Sequence, residues 1–413
     1  MRILHTVEFY HPSKGGAQEV VRRLSELLTR RGHEVTVATT GLPDREERVK
    51  NGVRIEEFNI RGNAVRGMSG DTERYQTFLR DSKFDIIMNY AAQQWTTDLA
   101  LPILNEIKAK KVLVPCGFSS LYDPRYAGYF NRMGEWMKHY DACVFLSRSY
   151  RDIDFARKHG IDDRIIIPNG ASEEEFVSPP NSSFRAAYGI PEDDFLVLHV
   201  GSHTGVKGHA EAIRIFRRSG IENATFAIVG NCDMKGCVAS CNKVAERFNK
   251  GLRSRKKQRL VVADLPRELT VAAYHEADVF LFPSNIECSP IVLFEAMASR
   301  TPFLTTDVGN AAEIISWGGG GMLLPTRRRS DGSVTAMIRE SAVVLRRLHD
   351  DAVRRGELAE RGYHAWIGSF TWERIAERYE ELYSDLVAGR SATDATYPTS
   401  LTPTNNNRWD AML

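Results

Sequence analysis

Glu287-Cys288-Ser289-Pro290-Ile291-Val292-Leu293-Phe294-Glu295 sets two carboxylates on either side of a Ser-Pro step. Ser289 is a good helix N-cap, and Pro290 suits the first helical position because its missing N–H would go unpaired there anyway. The backbone amides of Ile291 and Val292 then point beyond the helix end, where partial positive charge readily takes a phosphate. Glu295 falls further into the helix, within reach of hydroxyls on one side of that anion. Glu287, in the loop before the cap, reaches the other side. Two acceptor-only groups flanking an anion site fit a ligand with hydroxyls at both ends and phosphate between, as in a nucleotide-sugar. Glutamates near a helix N-terminus are also common on plain surfaces, where the dipole alone stabilises them by about 0.3–1 kcal/mol.

Two further groups bear on the same chemistry. Lys207 lies in the glycine-bearing loop of VGSHTGVKG, where a cation can meet the same diphosphate; the plainer alternative is a solvated loop lysine. Lys14-Gly15-Gly16 opens a helix without side-chain bulk, which allows close backbone approach to a phosphate or simply makes a tight turn.

The elements that must position these residues repeat one design. RILHTVE is a strand, HPSKGG a glycine turn, and Val20, Val21, Leu24, Leu27 and Leu28 mark a helix ending near Gly32, followed by the strand EVTVATT. Later, FLVLHVG, HTGVKG, HAEAIRIFRRSG and ATFAIVGN run through the same cycle. Strand, glycine loop, helix and strand open a Rossmann-like parallel unit, so two such α/β domains facing one another are expected. FDIIMNY, KVLVPCG and DACVFLS extend the first sheet; RLVVADL, ADVFLFPS and TPFLTTDVG extend the second. The expected boundaries are 1–177 for the first domain, 178–368 for the second, 369–389 for a final amphipathic helix and 390–413 for a disordered Ser/Thr/Pro/Asn-rich tail. SPPNSS, residues 178–183, is the linker.

Composition narrows the classes. The 413 residues exceed one ordinary core. The apolar fraction of 42 % with 26 % charged is that of a soluble globular protein, and a net charge of +2 argues against a nucleic-acid partner. No apolar run approaches a membrane span, and MRILHTVEFY has no secretory core. The expected location is the cytoplasm, with room for peripheral contact at the inner membrane face. The basic segment 243–259 reads as a solvated helix and loop or as a contact for anionic headgroups. Cys232, Cys237 and Cys241 lack a fourth ligand nearby and the tight Cys-x-x-Cys pairing, so reduced thiols and no metal are expected. Asp152-Ile153-Asp154 lies in a helical stretch where residues two apart face different ways, and it reads as surface.

With these residues in view, PSNIECSPIVLFEAMASRTPFLTTDVGNAAEI resembles the signature of glycosyltransferase family 4, retaining enzymes of the GT-B fold, including its Glu-x7-Glu motif at Glu287 and Glu295. HPSKGGAQEVVRRLSELLTRRGHEVTVAT is similar to the family's N-terminal acceptor-domain loop and helix, and Ile167-Pro168-Asn169-Gly170 to its interdomain segment. VGSHTGVKG resembles the phosphate loop, and FTWERIAERYEELY the C-terminal helix that crosses back to the first domain. The resemblance implies that Glu287 contacts sugar hydroxyls of a nucleoside-diphosphate-sugar donor and Glu295 its ribose. Lys207 and the amides after Pro290 would hold the diphosphate, Gly15, Gly16 and Asn169 would border it, and Asp264 would border the base. It further implies transfer to a glycan or lipid-linked acceptor, shaped by loops 41–75 and 117–135, without cofactor or metal. Two departures stand out. Ser202 occupies a position where many members carry arginine, leaving Lys207 as the main cation and His203 as a weaker donor. Cys116 stands where the family often has a histidine near the transferred sugar, so either the sugar sits differently or the donor is unusual. Those departures motivate two alternatives: a nucleotide-sugar binding protein without turnover, or a GT-B sugar-nucleotide epimerase.

Overall fold

The computed structural model describes residues 1–81, 83–161, 164–231, 235–250 and 258–390. Strand Arg2–Thr6 sits inside an eight-stranded sheet, between Glu34–Thr40 and Ile86–Tyr90. Val53–Phe58 lies outside the former; Lys110–Val114, Ala142–Phe145 and Arg164–Ile166 follow the latter. Every pairing is parallel except that of the two-residue edge strand Val49–Lys50. Both faces of this sheet are covered. Ile3 packs on one side with helix Gly16–Arg30, and Leu4 on the other with Trp95 and Phe130. That two-sided burial is why its strands read as unbroken apolar runs.

The second sheet is wholly parallel and runs Gln258–Ala263, Ala224–Val229, Phe195–Val200, Val279–Phe282, Phe303–Thr305, Gly321–Leu323. In each sheet the strand order reverses once, at Arg2–Thr6 beside Ile86–Tyr90 and at Phe195–Val200 beside Val279–Phe282. A crevice opens outside the carboxyl ends of the strands at such a reversal, and open α/β sheets bind ligands there.

Helix Trp372–Val387 leaves the second unit and docks on the first. Trp372, Ile375, Ala376, Tyr379, Leu382, Tyr383 and Leu386 join the core around Ile3 and Val37. Its N-cap, Thr371, pairs in a bridge with Ala171, and the Tyr383 hydroxyl meets Nε2 of the buried His5 at 3.1 Å. Further hydrogen bonds join the two units beside the crevice. Asn310 Nδ2 donates to the Leu146 carbonyl at 2.9 Å, and the Arg148 N–H lies 3.0 Å from both Glu313 oxygens.

No helix among the described residues is long and apolar enough to cross a membrane. The expected tail lies outside the described residues apart from Arg390, as do Cys232 and the basic residues Arg253, Arg255, Lys256 and Lys257. Asp152 departs from expectation. It is 2 % exposed, not surface, because its Oδ2 accepts the Gly117 N–H at 2.8 Å and holds the loop after Lys110–Val114. Burial pushes its pKa up to about 6. Asp154, two residues on, points outward to Arg157.

Candidate functional site

A cavity of about 680 Å³ fills the crevice between the two units. From the first unit, Gly15, Gly16, Cys116 and Asn169 line it. From the second come Ser202, Lys207, Asp264, Glu287, Pro290, Ile291, Val292 and Glu295. Residues as far apart in sequence as Gly16 and Glu295 are thus brought together by the facing strand ends.

The helix at its floor spans Ile291–Ala298, one residue later than the Ser-Pro spacing suggests. Pro290, not Ser289, flanks it in an extended conformation, and no side chain caps it. Ser289 is used otherwise: its carbonyl accepts from Asn169 Nδ2 at 2.8 Å and its hydroxyl from Asn310 Nδ2 at 3.2 Å. Asn169 is therefore a strut between the units as well as a lining residue. The first-turn amides of Ile291 and Val292 have no intrahelical acceptor by construction, and their residues border the cavity.

Glu295, 4 % exposed, meets Arg267 NH2 at 2.6 Å. The same guanidinium nitrogen lies 2.8 Å from Glu175, which in turn pairs with Arg23 of the first unit. The Arg22–Glu19 pair stands beside them on the cavity wall. Burial opposes ionisation of Glu19, yet the Arg22 hydrogen bond and the Arg23 charge hold its carboxyl at about 2. Arg267 is a site residue that sequence reasoning missed, since no cap, glycine or motif marks it.

Lys207 and Glu287 find one another. Lys207 Nζ lies 2.6 Å from Glu287 Oε1, which also accepts the Ser284 hydroxyl at 2.8 Å. The loop carrying Lys207 is fastened to that neighbourhood by its backbone: the Asn285 N–H donates to the Val206 carbonyl at 2.9 Å. Gly208 closes the loop at φ +72°, and a Cβ there would come within 1.9 Å of the Pro283 carbonyl oxygen, so the close packing of loop on strand requires glycine. Gly16 is the opposite case. A Cβ there would meet nothing within 4 Å, and the residue borders the cavity.

Ser202 is turned to Asn231, its hydroxyl 2.5 Å from Asn231 Oδ1, and Asp264 is exposed at the rim. Cys116, at φ +58°, is in hydrogen-bonding contact with the Cys288 thiol and the Tyr90 hydroxyl, and all three line the cavity. Cys288 was not singled out by sequence. His203 is the one expected site residue absent from the lining. The loop turns inward after Ser202, the His203 N–H donating to the Asn231 carbonyl at 3.0 Å, and the ring is only 1 % exposed. It stacks on His209 with 4.3 Å between centroids.

Chemically, the cavity offers the Lys14 and Lys207 ammonium groups, the Arg22 and Arg267 guanidinium groups, amides at a helix start, and the carboxylates Glu19, Asp264, Glu287 and Glu295, three of which are ion-paired with these cations. Comparison with known proteins gives that arrangement a family. The pattern of the family described as Glycosyl transferases group 1 matches residues 181–339, and that of Glycosyltransferase Family 4 matches 14–175. The chain is 23 % identical over 389 residues to N-acetyl-alpha-D-glucosaminyl L-malate synthase of Bacillus anthracis, covering 91 % of this chain and 96 % of that one. Among solved structures it is similar to sucrose-phosphate synthase from Thermosynechococcus elongatus, with TM-score 0.75 at 18 % identity over 94 % of this chain and 99 % of that one. It is also similar to HepE of Anabaena in complex with UDP-glucose, with TM-score 0.71 at 15 % identity over 93 % and 100 %. The two matched segments lie end to end over the two sheets, and the chain belongs to the family 4 glycosyltransferases of the GT-B fold.

Proposed function

We propose that the protein transfers a sugar from a nucleoside diphosphate to a hydroxyl acceptor with retained anomeric configuration, in the assembly of a glycan, polysaccharide or glycolipid. The observation that carries this reading is the convergence of Lys207, Glu287, Glu295 and the Ile291–Val292 amides on one cavity between two strand-end surfaces. Lys207 and the helix start hold the diphosphate. Glu295, kept in one orientation by Arg267, accepts ribose hydroxyls, and Glu287 accepts from the transferred sugar. A UDP-glucose complex in the HepE neighbour makes uridine donors the first to try.

As the bond to the anomeric carbon breaks, negative charge grows on the leaving diphosphate. Lys207 and the amide end face that charge and stabilise it more than the ground state, which is what accelerates a reaction. The departing phosphate oxygen takes the acceptor proton on the same face, so the reaction needs neither a dedicated side-chain base nor a metal at the diphosphate. The Lys207–Glu287 pair opens on binding: the ammonium turns to phosphate, while the carboxylate keeps Ser284 and gains sugar hydroxyls.

A thermal-shift panel of UDP-, GDP-, ADP- and CMP-sugars tests the reading. A donor at a hundredfold excess over its Kd adds about 2.7 kcal/mol of stability. The matching donor should then be consumed, by transfer or by slow hydrolysis. Absence of any shift across the panel overturns the assignment of the cavity, and binding without turnover overturns the enzyme.

A further inference from the structure

We propose that His203, Cys237 and Cys241, with His209 as the fourth ligand, bind a structural Zn²⁺ that fastens the Lys207 loop to the helix Lys235–Lys250. Cys237 and Cys241 are four apart in that helix, so both thiols lie on one face. The ligand atoms of His203, Cys237 and Cys241 lie within 4.8 Å of one another. His203 Nδ1 is 3.4 Å from Cys237 Sγ, and His209 Nδ1 is 3.9 Å from the same sulfur. In a tetrahedral site with Zn–S near 2.3 Å and Zn–N near 2.0–2.1 Å, neighbouring ligand atoms are about 3.3–3.8 Å apart. His203, Cys237 and Cys241 are therefore close to a zinc-binding spacing, and His209, stacked on His203, completes it by turning its ring out of that stack toward the thiols.

The surroundings fit a closed structural site. His209 Nε2 lies 3.2 Å from the Gly201 carbonyl, which takes that N–H and leaves Nδ1 as the lone pair facing Cys237. A ligating histidine with its other nitrogen on a backbone carbonyl is the usual supporting arrangement of a metal site. Two thiolates and two imidazoles select zinc over calcium or magnesium. None of the four groups lines the cavity, so this metal would stand behind the donor site and take no part in bond breaking. Binding releases the two thiol protons as the sulfurs become thiolates. His203 and His209 stand before and after Lys207, so both ends of its loop are pinned to the same helix.

The experiment uses the full chain, expressed with zinc and dialysed into metal-free reducing buffer. Metal analysis should find about one zinc per chain. Cobalt exchange should give the thiolate charge-transfer band and strong visible bands of a tetrahedral site. The Cys237→Ser/Cys241→Ser variant should lose the metal, and Cys143→Ala should keep it. A folded unmutated chain that takes up neither zinc nor cobalt with thiolate bands overturns the proposal, whatever becomes of the variants. Zinc retained by the folded double variant at the unmutated level also overturns it. The loop-fastening consequence rests on the function proposed above: zinc removal should weaken donor binding at least tenfold, and unchanged affinity would refute that role. Metal content itself is independent of any donor, so the two readings fail separately.

Discussion

Replacing Lys207 by methionine removes the ammonium while keeping most of the side-chain stem. In the ligand-free protein its partner Glu287 has a side chain only 10 % exposed but retains the Ser284 hydroxyl at 2.8 Å. The Lys207 side chain itself is 25 % exposed. One charge-assisted hydrogen bond is lost and none of the main chain is disturbed, so stability should fall by about 1–2 kcal/mol. The transition state should suffer more. Loss of one preorganised donor facing a developing oxyanion costs about 2.7–4 kcal/mol, or roughly 10²–10³ in kcat. Release of nucleoside diphosphate, followed by a coupled assay at saturating donor, reads that number directly. Glu287→Gln should also slow turnover, and the double variant should show strong non-additivity because the two side chains share a contact. A Lys207→Met enzyme whose kcat falls less than about tenfold, with its fold intact, would refute the assignment of leaving-group stabilisation to this residue.

Glu295→Ala should weaken donor binding with the fold intact, because Arg267 keeps Glu175; unchanged affinity in calorimetry would remove its ribose role. Gly16→Val should leave the melting temperature nearly unchanged, since nothing lies within 4 Å of the new Cβ, yet weaken the donor at least tenfold by occupying its space. Equal affinity would show that no ligand approaches that backbone. Burial raises Asp152 from 3.8 to about 6 in the folded chain, so the native state binds this proton more tightly than the unfolded one and stability falls as pH rises between those values. Asp152→Asn removes that titration, so the variant should gain about 2 kcal/mol relative to the unmutated chain on going from pH about 4 to 7 in urea unfolding. A difference that does not change with pH would contradict a raised carboxyl.

The sequence showed most of the architecture because strands buried on both faces, such as Phe195–Val200, are continuous apolar runs. It overran their carboxyl ends. Val7 and Tyr10 beyond the first strand, and Ser284 beyond ADVFLF, are as buried as the strands themselves, so apolarity outlasts the ladder where the crevice begins. Val53–Phe58 escaped because Arg54, Glu56 and Glu57 break the continuous apolar run that marks the other strands. The placement of Glu287, Glu295 and Lys207 on one cavity was legible from local helix-start, loop and glycine chemistry, although the Ser289 cap behind that reading is not formed. Arg267 was not, because its meaning comes from Glu295, 28 residues away, and His203 was misread because its partner Cys237 is 34 residues away. Spacing along a chain cannot report contacts that only the sheet creates.

The most direct measurement is a crystal structure of the protein with the nucleoside diphosphate that the thermal-shift panel selects. The account predicts phosphate oxygens at about 2.7–3.2 Å from the Ile291 and Val292 amides and within reach of Lys207. A nucleotide bound with its phosphates turned away from that helix start would contradict it.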